Sequence, residues 1–175
     1  MKTFTLVMLS TAALGLSNPV TANTELEIEW FEPEKFTDVR PTNESRKSFR
    51  TNTFKHLESY FHELSSELAD NQKLIIKVTN LDLAGNVWPA SFVGLGPSGS
   101  DVRVIKNTDI PRINFNYQLI DGTGGIIKQA EVKLKNMMFL DSSIGFFKSD
   151  PLRYEKSMLK RWFDQEFESQ PKIQS

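Results

Sequence analysis

The sequence predicts a single α+β domain, with a four- to five-stranded, mostly antiparallel sheet and two helices packed on one face of it. Three observations support this fold class. Alternating apolar and polar residues mark several strands, among them a long hairpin around a glycine-rich turn. Two longer segments carry apolar residues at helical spacing. No internal repeat and no second apolar core is apparent, which favours one domain.

The N-terminal segment has the features of a secretory signal peptide. Met1–Ala22 contains one early lysine, an apolar run over residues 4–16, and a small-residue end. The apolar run is shorter than the roughly 20 residues of a membrane-spanning helix, and no cysteine follows it that could carry a lipid. We therefore expect cleavage after Ala22. The expected mature chain, Asn23–Ser175, is a soluble periplasmic protein that is not a lipoprotein and has no transmembrane segment.

The first half of the mature chain predicts a strand, a helix and a central strand. Glu25–Trp30 alternates strictly and places three glutamates on one face, as in a half-buried edge strand. A polar loop over Val39–Arg50 precedes a helix predicted for Asn52–Ala69. Leu74–Gly85 begins as a strand that is apolar on both faces, a pattern typical of a covered central strand. It ends in a polar, glycine-terminated exit.

The second half predicts a long loop, further strands and a final helix. The loop, Asn86–Asp101, is either a functional excursion or a disordered one. A short strand at Val102–Ile105 follows, and Ile113–Lys135 alternates on both sides of a glycine-rich turn, which predicts a hairpin. Asp150-Pro151 is typical of a helix start, with the aspartate as N-cap. The polar tail from about residue 168 is expected to be frayed.

Composition excludes several classes of chemistry. The chain has no cysteine, so disulfides, thiol nucleophiles and cysteine metal sites are excluded. Its formal charge of −1 becomes −2 once Lys2 leaves with the signal peptide. A protein with this small negative charge has no overall electrostatic attraction for nucleic acid. The two histidines, His56 and His62, lie on different sides of the predicted helix. The glycine string at residues 94–99 precedes a strand, whereas a dinucleotide motif needs a helix there. We predict no metal and no cofactor.

Candidate binding residues lie at the exit of the central strand and in the loop after it. Asp82 follows a rigid element, where functional side chains are often held. Arg103 and Arg112 begin nearby strands and are natural partners for this carboxylate. Two interpretations remain open: a salt-bridged network that only fixes the loop, or a site that binds an anion or a partner. Trp88 and Asp101 in the loop complete the candidate binding set.

Several strings of the chain together resemble one bacterial family. The strings occur in this order: Phe31-Glu32-Pro33-Glu34-Lys35-Phe36-Thr37-Asp38, Asp82-Leu83-Ala84-Gly85, Asp101-Val102-Arg103-Val104, Pro111-Arg112-Ile113, Tyr117-x-Leu119-x-Asp121, and Tyr154-Glu155-Lys156 with Trp162-Phe163. The mature chain is similar over nearly its whole length to domain of unknown function 3016, a family of exported proteins of Gram-negative bacteria. The resemblance implies export, and it carries over no activity and no catalytic residues.

These observations predict an uncharacterised periplasmic protein that is a non-enzymatic binding or accessory module for an envelope protein or polymer. It would use the open face of the sheet and the loop after Asp82. The sequence contains no apparent histidine–aspartate–serine set and no nucleophile elbow. The alternative is a carboxylate-dependent periplasmic hydrolase that uses Asp82 together with Asp101 or Asp141.

Overall fold

The structure is a computed structural model that describes residues 24–141 and 149–167. In these residues six strands and two α-helices follow one another, together with short 3-10 turns at Pro33–Lys35 and Ala90–Val93. The elements are β1 (Glu25–Trp30), α1 (Arg46–Ser65), β2 (Lys73–Asp82), β3 (Asn86–Trp88), β4 (Val102–Val104), β5 (Arg112–Ile120), β6 (Ile126–Lys135) and α2 (Arg153–Phe167). The predicted signal peptide and the polar tail lie outside the described residues.

Four of the strands form one mixed sheet in the order β1-β2-β5-β6. β1 runs parallel to β2, whereas β2–β5 and β5–β6 are antiparallel. The remaining two strands, β3 and β4, pair antiparallel in a small second sheet. The predicted α+β class, the mostly antiparallel sheet and the long hairpin are therefore confirmed, and β2 is central.

The central strand is covered on one face only, so the expectation of two covered faces is wrong. Leu74, Ile76 and Val78 are fully buried, and the residues between them are partly exposed. The open face is polar because two lysines of β2 form ion pairs with the glutamates of β1. Lys73 lies 2.9–3.0 Å from two of these glutamates and Lys77 lies 3.1 Å from the third. The glutamate row thus ties the edge strand to its neighbour.

Both helices supply apolar side chains to the core. Trp162 of α2 makes edge-to-face contacts with Phe115 and Tyr117 of β5, at centroid distances of 4.8 and 5.5 Å. α1 begins six residues earlier than predicted, because the Ser45 hydroxyl accepts a hydrogen bond from the Ser48 amide and caps it. Among the residues that the structure describes, no helix is long and apolar enough to span a membrane.

A β-bulge in β2 determines how that strand ends. The register with β5 shifts between Val78 and Asn80, so Thr79 has no partner of its own. Buried positions change from even to odd numbers across the bulge, and Leu81 returns to the core. Asp82 then lies directly opposite Arg112 on β5. The bulge therefore places the end of the central strand in register with a basic residue.

The predicted long loop has regular structure. We call Asn86–Val104 the arm: it consists of β3, the 3-10 turn Ala90–Val93, and β4. The arm belongs to the small second sheet and not to the four-stranded one. The arm begins shortly after β2, so the contacts that fix its first residues also shape the site at the end of β2.

Candidate functional site

Polar contacts converge on the three residues that follow β2, which we call the exit segment (Leu83–Gly85). Its three amides donate, in order, to the carbonyl of Asp38, the carboxylate of Glu155 and the carbonyl of Asp109, at 3.0, 2.8 and 3.0 Å. The acceptors belong to the connection after β1, to α2 and to the connection before β5. Three separate parts of the chain therefore fix the exit segment in place.

Arg103, which lies on the arm, forms further hydrogen bonds to the exit segment. Its Nη1 donates to Asp38 Oδ2 at 3.0 Å and to the carbonyls of Ala84 and Gly85 at 3.3 and 2.8 Å. Its Nη2 donates to the carbonyl of Arg40 at 2.9 Å. The side chains of Arg103 and Asp38 are only 19% and 8% exposed. Arg103 therefore pairs with Asp38 and not with Asp82, which corrects the expectation that both arginines serve Asp82.

The second predicted pair is present. Arg112 Nη1 donates to Asp82 Oδ2 at 2.8 Å and to the carbonyl of Ile110 at 3.3 Å. The Arg112 side chain is 46% exposed, whereas Asp82 is 14% exposed. Burial raises the pKa of Asp82 above its usual range; the Arg112 guanidinium opposes this rise, and the nearby Asp38 carboxylate adds to it. The pair thus joins a sheltered carboxylate to an accessible cation.

The two aspartates share one polar cleft of about 320 Å³. Asp38 and Asp82 form a parallel backbone bridge, so they are neighbours in the lining of the cleft. Arg112 and the first two residues of the arm also line it. The second oxygen of Asp38, Oδ1, is buried and has no hydrogen-bond partner in the described part of the chain. Asp101 and Asp141, the predicted partners of Asp82 in a hydrolase, do not line this cleft.

The other two candidate residues belong to the arm. Asp101 Oδ1 accepts a hydrogen bond from the amide of Ala90 at 3.3 Å and so holds the turn between the two arm strands. The Trp88 ring lies 3.7 Å from the ammonium group of Lys106, a cation–π contact. At the tip, Phe92 and Leu95 are 76% and 56% exposed. Asp101 and Trp88 therefore shape the arm, and other residues form its accessible surface.

Gly85 allows the arm to pass close to the exit segment. Its φ of +79° lies in the left-handed region that favours glycine. A Cβ atom there would lie 2.5 Å from the carbonyl oxygen of Val104 and 2.6 Å from a methyl of Ile105. The glycine that ends the predicted strand exit is thus needed for both conformation and close approach.

Sequence reasoning missed two acidic residues of this site, Asp38 and Glu155. Glu155 is fully buried, and burial raises its pKa, an effect that the hydrogen bond from the Ala84 amide opposes. A signal was available for it, because Glu155 precedes the buried Met158 and Leu159 by three and four residues and thus shares their helix face. Asp38 has no comparable signal, because its contact depends on the pairing of β1 with β2.

The strings that carry the family resemblance meet at this site. Five of them supply one part each: Asp38, the exit segment, Arg103, Arg112 and Glu155. Among residues 24–141 and 149–167, no group of three histidine, aspartate or glutamate side chains could hold a metal ion. The arrangement is a scaffold of carboxylates and guanidinium groups that holds the arm and leaves Arg112 accessible.

Comparisons with known proteins agree with the resemblance. Neither a curated protein nor a solved structure matches the chain. The model of one family, described as protein of unknown function (DUF3016), matches residues 24–165. That match covers most of the chain, including every part of the site, and the chain therefore belongs to this family.

Proposed function

We propose that this protein is an exported, non-enzymatic binding or accessory module that recognises a protein of the cell envelope through the tip of its arm. The observation that carries the proposal is the exposure of Phe92 and Leu95 on an element whose base is clamped by Arg103. Apolar side chains presented by a fixed backbone lose little conformational entropy on binding. A partner with an apolar pocket fits this surface.

The composition of the arm supports this interpretation. No charged residue occurs between Asp82 and Asp101, although charged residues make up 25% of the whole chain. The cores of protein interfaces are depleted in charge and enriched in aromatic residues. The uncharged arm tip has this character, and its base lies against the polar cleft.

Arg112, the accessible arginine at the base of the arm, can orient a bound partner. Among the described contacts, Arg112 uses only Nη1, so its other N–H groups can bind an anionic group of the partner. Asp82 holds the guanidinium in place from the sheltered side. An apolar anchor at the tip of the arm and an oriented cation at its base favour a polypeptide that carries both an apolar residue and a carboxylate.

Site-specific crosslinking tests the proposal. A photo-reactive phenylalanine analogue is placed at position 92 and, in a matched control, at Ile126, which is apolar, lies on β6 and is 56% exposed. Position 92 should give a discrete protein adduct in cells, and position 126 should give none. The adduct should decrease when Arg112→Ala is added. Equal adducts at both positions, or none at position 92, would overturn the proposal.

A polymer ligand is the other outcome of this experiment. Purified peptidoglycan sacculi are sedimented with the mature chain and with the Phe92→Ser, Leu95→Ser double variant. Retention of the wild type and loss of the variant, without a protein adduct at position 92, would transfer the recognition role of the arm from a protein to the cell-wall polymer.

A carboxylate-dependent hydrolase is the second candidate, and it is favoured by the adjacency of Asp38 and Asp82 and by the raised pKa of Asp82. The pair in this candidate is Asp38 with Asp82, because Asp101 and Asp141 do not line the polar cleft. The test is release of soluble fragments from sacculi or from a denatured protein. Turnover that Asp82→Asn abolishes without lowering the melting temperature would establish the hydrolase.

A further inference from the structure

A second cleft lies next to the polar cleft and has a different character. It has a volume of about 380 Å³, and its wall is largely apolar. Phe49, Ile105, Leu152 and Tyr154 form much of that wall. The volume lies within the range of small-molecule sites, about 300–1,000 Å³. We call it the apolar cleft.

Positive charge borders this apolar space. The side chains of Arg40, Arg103 and Arg153 line it. Arg103 is occupied by Asp38 and three carbonyls. In the described ranges 24–141 and 149–167, neither Arg40 nor Arg153 forms an ion pair. Arg153 instead donates to the Tyr154 hydroxyl at 3.0 Å and stacks on its ring.

Two acidic groups also line the apolar cleft. Glu44 is exposed and lies just before the start of α1, where solvent screens its charge. Glu155 is buried in the wall, and burial raises its pKa against the opposing hydrogen bond from the Ala84 amide. Glu155 is only 1% exposed and its side chain accepts the hydrogen bond from the Ala84 amide at 2.8 Å, so little of its carboxyl group is accessible from the cleft. The charge that a ligand meets is therefore mainly that of the arginines.

We infer that the apolar cleft binds a small amphiphilic anion, with its apolar body against Phe49, Ile105 and Leu152 and its carboxylate or sulfonate group at Arg40 and Arg153. Guanidinium groups bind such planar or tetrahedral anions through paired, charge-assisted hydrogen bonds. Neither a cation nor an uncharged hydrocarbon would use both features of the cleft. This site is distinct from the arm tip and does not depend on the proposed protein partner.

The probe is 8-anilinonaphthalene-1-sulfonate, whose fluorescence is followed on the folded mature chain. The competitors are decanoate, decanol and decyltrimethylammonium, which share a ten-carbon chain and differ in charge. Decanoate should displace the probe at a concentration at least about tenfold lower than the other two, as expected for a charge-assisted contact worth one decade of affinity. Equal displacement by decanoate and decanol would overturn the inference.

Matched variants locate the binding. Asn52 is exposed and lines the apolar cleft, so Asn52→Trp should fill it and abolish decanoate binding. Ser59, which is exposed on the same helix and does not line the cleft, provides the control Ser59→Trp, which should bind normally. The Arg40→Gln, Arg153→Gln double variant should bind decanoate about as weakly as decanol. Normal binding by Asn52→Trp would place the probe elsewhere and reject the site.

The arm variant separates this inference from the proposed function. Phe92→Ser should leave decanoate binding unchanged, because Phe92 does not line the apolar cleft. Loss of decanoate binding in Phe92→Ser, with normal binding in Asn52→Trp, would show that the arm tip holds the probe. The inference would then fail, whereas the crosslinking result at position 92 would stand on its own.

Discussion

Two arginine–aspartate pairs flank the exit segment at similar distances, and they differ in the exposure of the arginine and in the number of backbone carbonyls that it binds. Arg103 and Asp38 are 3.0 Å apart, and Arg112 and Asp82 are 2.8 Å apart. The first pair is shielded from solvent, and its arginine also binds three backbone carbonyls. The second opens onto the polar cleft, with the arginine nearly half exposed. A salt-bridge distance therefore does not identify the role of an arginine, whereas burial and the remaining acceptors do.

The difference favours a structural role for Arg103 and Asp38, and it supports the proposed recognition role of Arg112. A buried ion pair that loses one partner leaves an uncompensated charge in the interior, which costs far more than the loss of an exposed pair. An exposed guanidinium held by one carboxylate keeps donors for a ligand. Two predictions test this division directly, and two more test the contacts that Gly85 and Glu155 make at the exit segment, in order of decreasing effect.

Arg103→Ala should lower the free energy of unfolding by about 3–5 kcal/mol, because it leaves the Asp38 carboxylate buried without its cation. Urea denaturation of the mature chain measures the change. Adding Asp38→Asn should recover part of the loss, since the double variant no longer buries that charge. A loss below about 1 kcal/mol, the value for an exposed pair, would show that the two pairs do not differ.

Gly85→Ala should lower the free energy of unfolding by about 1–3 kcal/mol, because it combines a left-handed φ with a close contact at Val104. Gly94→Ala is the control: Gly94 has almost the same φ, +80°, and a Cβ there would have no neighbour within 4 Å. The excess of the first variant over the second measures the contact between arm and exit segment. Equal losses in thermal or urea denaturation would mean that the close approach carries no cost.

Arg112→Ala should lower the free energy of unfolding by only about 1 kcal/mol, because the Arg112 guanidinium is nearly half exposed and solvent screens its charge. Its larger effect should be on the crosslink at position 92, which we expect to decrease severalfold. Urea denaturation and the crosslinking yield are compared on the same preparations. A stability loss as large as that of Arg103→Ala would contradict the assignment of Arg112 to recognition.

Glu155→Gln should change the pH dependence of stability more than stability itself. Since burial raises the pKa of Glu155, the folded state binds its proton more tightly than the unfolded state. The resulting penalty is present above the folded pKa and is relieved as the pH falls toward 4.5. Wild type should therefore gain stability relative to the variant between pH 7 and pH 4.5, in urea midpoints measured across this range.

The opposite pH dependence of stability is expected for carboxylates whose pKa is lower in the folded state. Burial acts to raise the pKa of Asp150 and Glu166, but hydrogen bonds and nearby positive charge together outweigh it and lower the pKa of both carboxyls. At Asp150 these contacts come from Lys156 and the Leu152 amide, and at Glu166 from Lys128 and Tyr117. Their stabilisation is lost as the pH falls below about 4, through the folded pKa values. Both proteins contain these groups, so the difference between wild type and Glu155→Gln reports Glu155. A pH-independent difference would contradict the burial of a charged form.

The parts of the fold that the sequence predicts best are those with long periodic patterns. β1, β5 and β6 alternate over six residues or more, and their residue ranges follow the predictions closely. The start of α1 was missed because its first turn is polar and its cap is local chemistry at Ser45. The arm strands are three residues each, too short for any period to appear.

The contacts of the site also divide into those that the sequence predicts and those that it does not. Asp82 and Arg112 were predicted as partners because Asp82 ends the central strand and Arg112 begins a nearby strand, and the β2–β5 register brings them together. The partner of Arg103 could not be predicted, because Asp38 reaches the exit segment through a backbone bridge between distant parts of the chain. Parallel pairing of β1 with β2 creates that bridge, and no local pattern records which strand an edge strand will join.

The bulge at Thr79 has a consequence for how this family can vary in length. Side chains of a strand alternate between faces, so removing one residue exchanges the faces of all that follow. A bulge is the exception, because it already carries one extra residue. Deleting Thr79 would leave Leu81 in the core and Asp82 opposite Arg112, since Val78, Asn80, Leu81 and Asp82 already pair with consecutive residues of β5. Relatives of this protein should therefore tolerate the loss of one residue at Thr79 and reject it within Leu74–Val78.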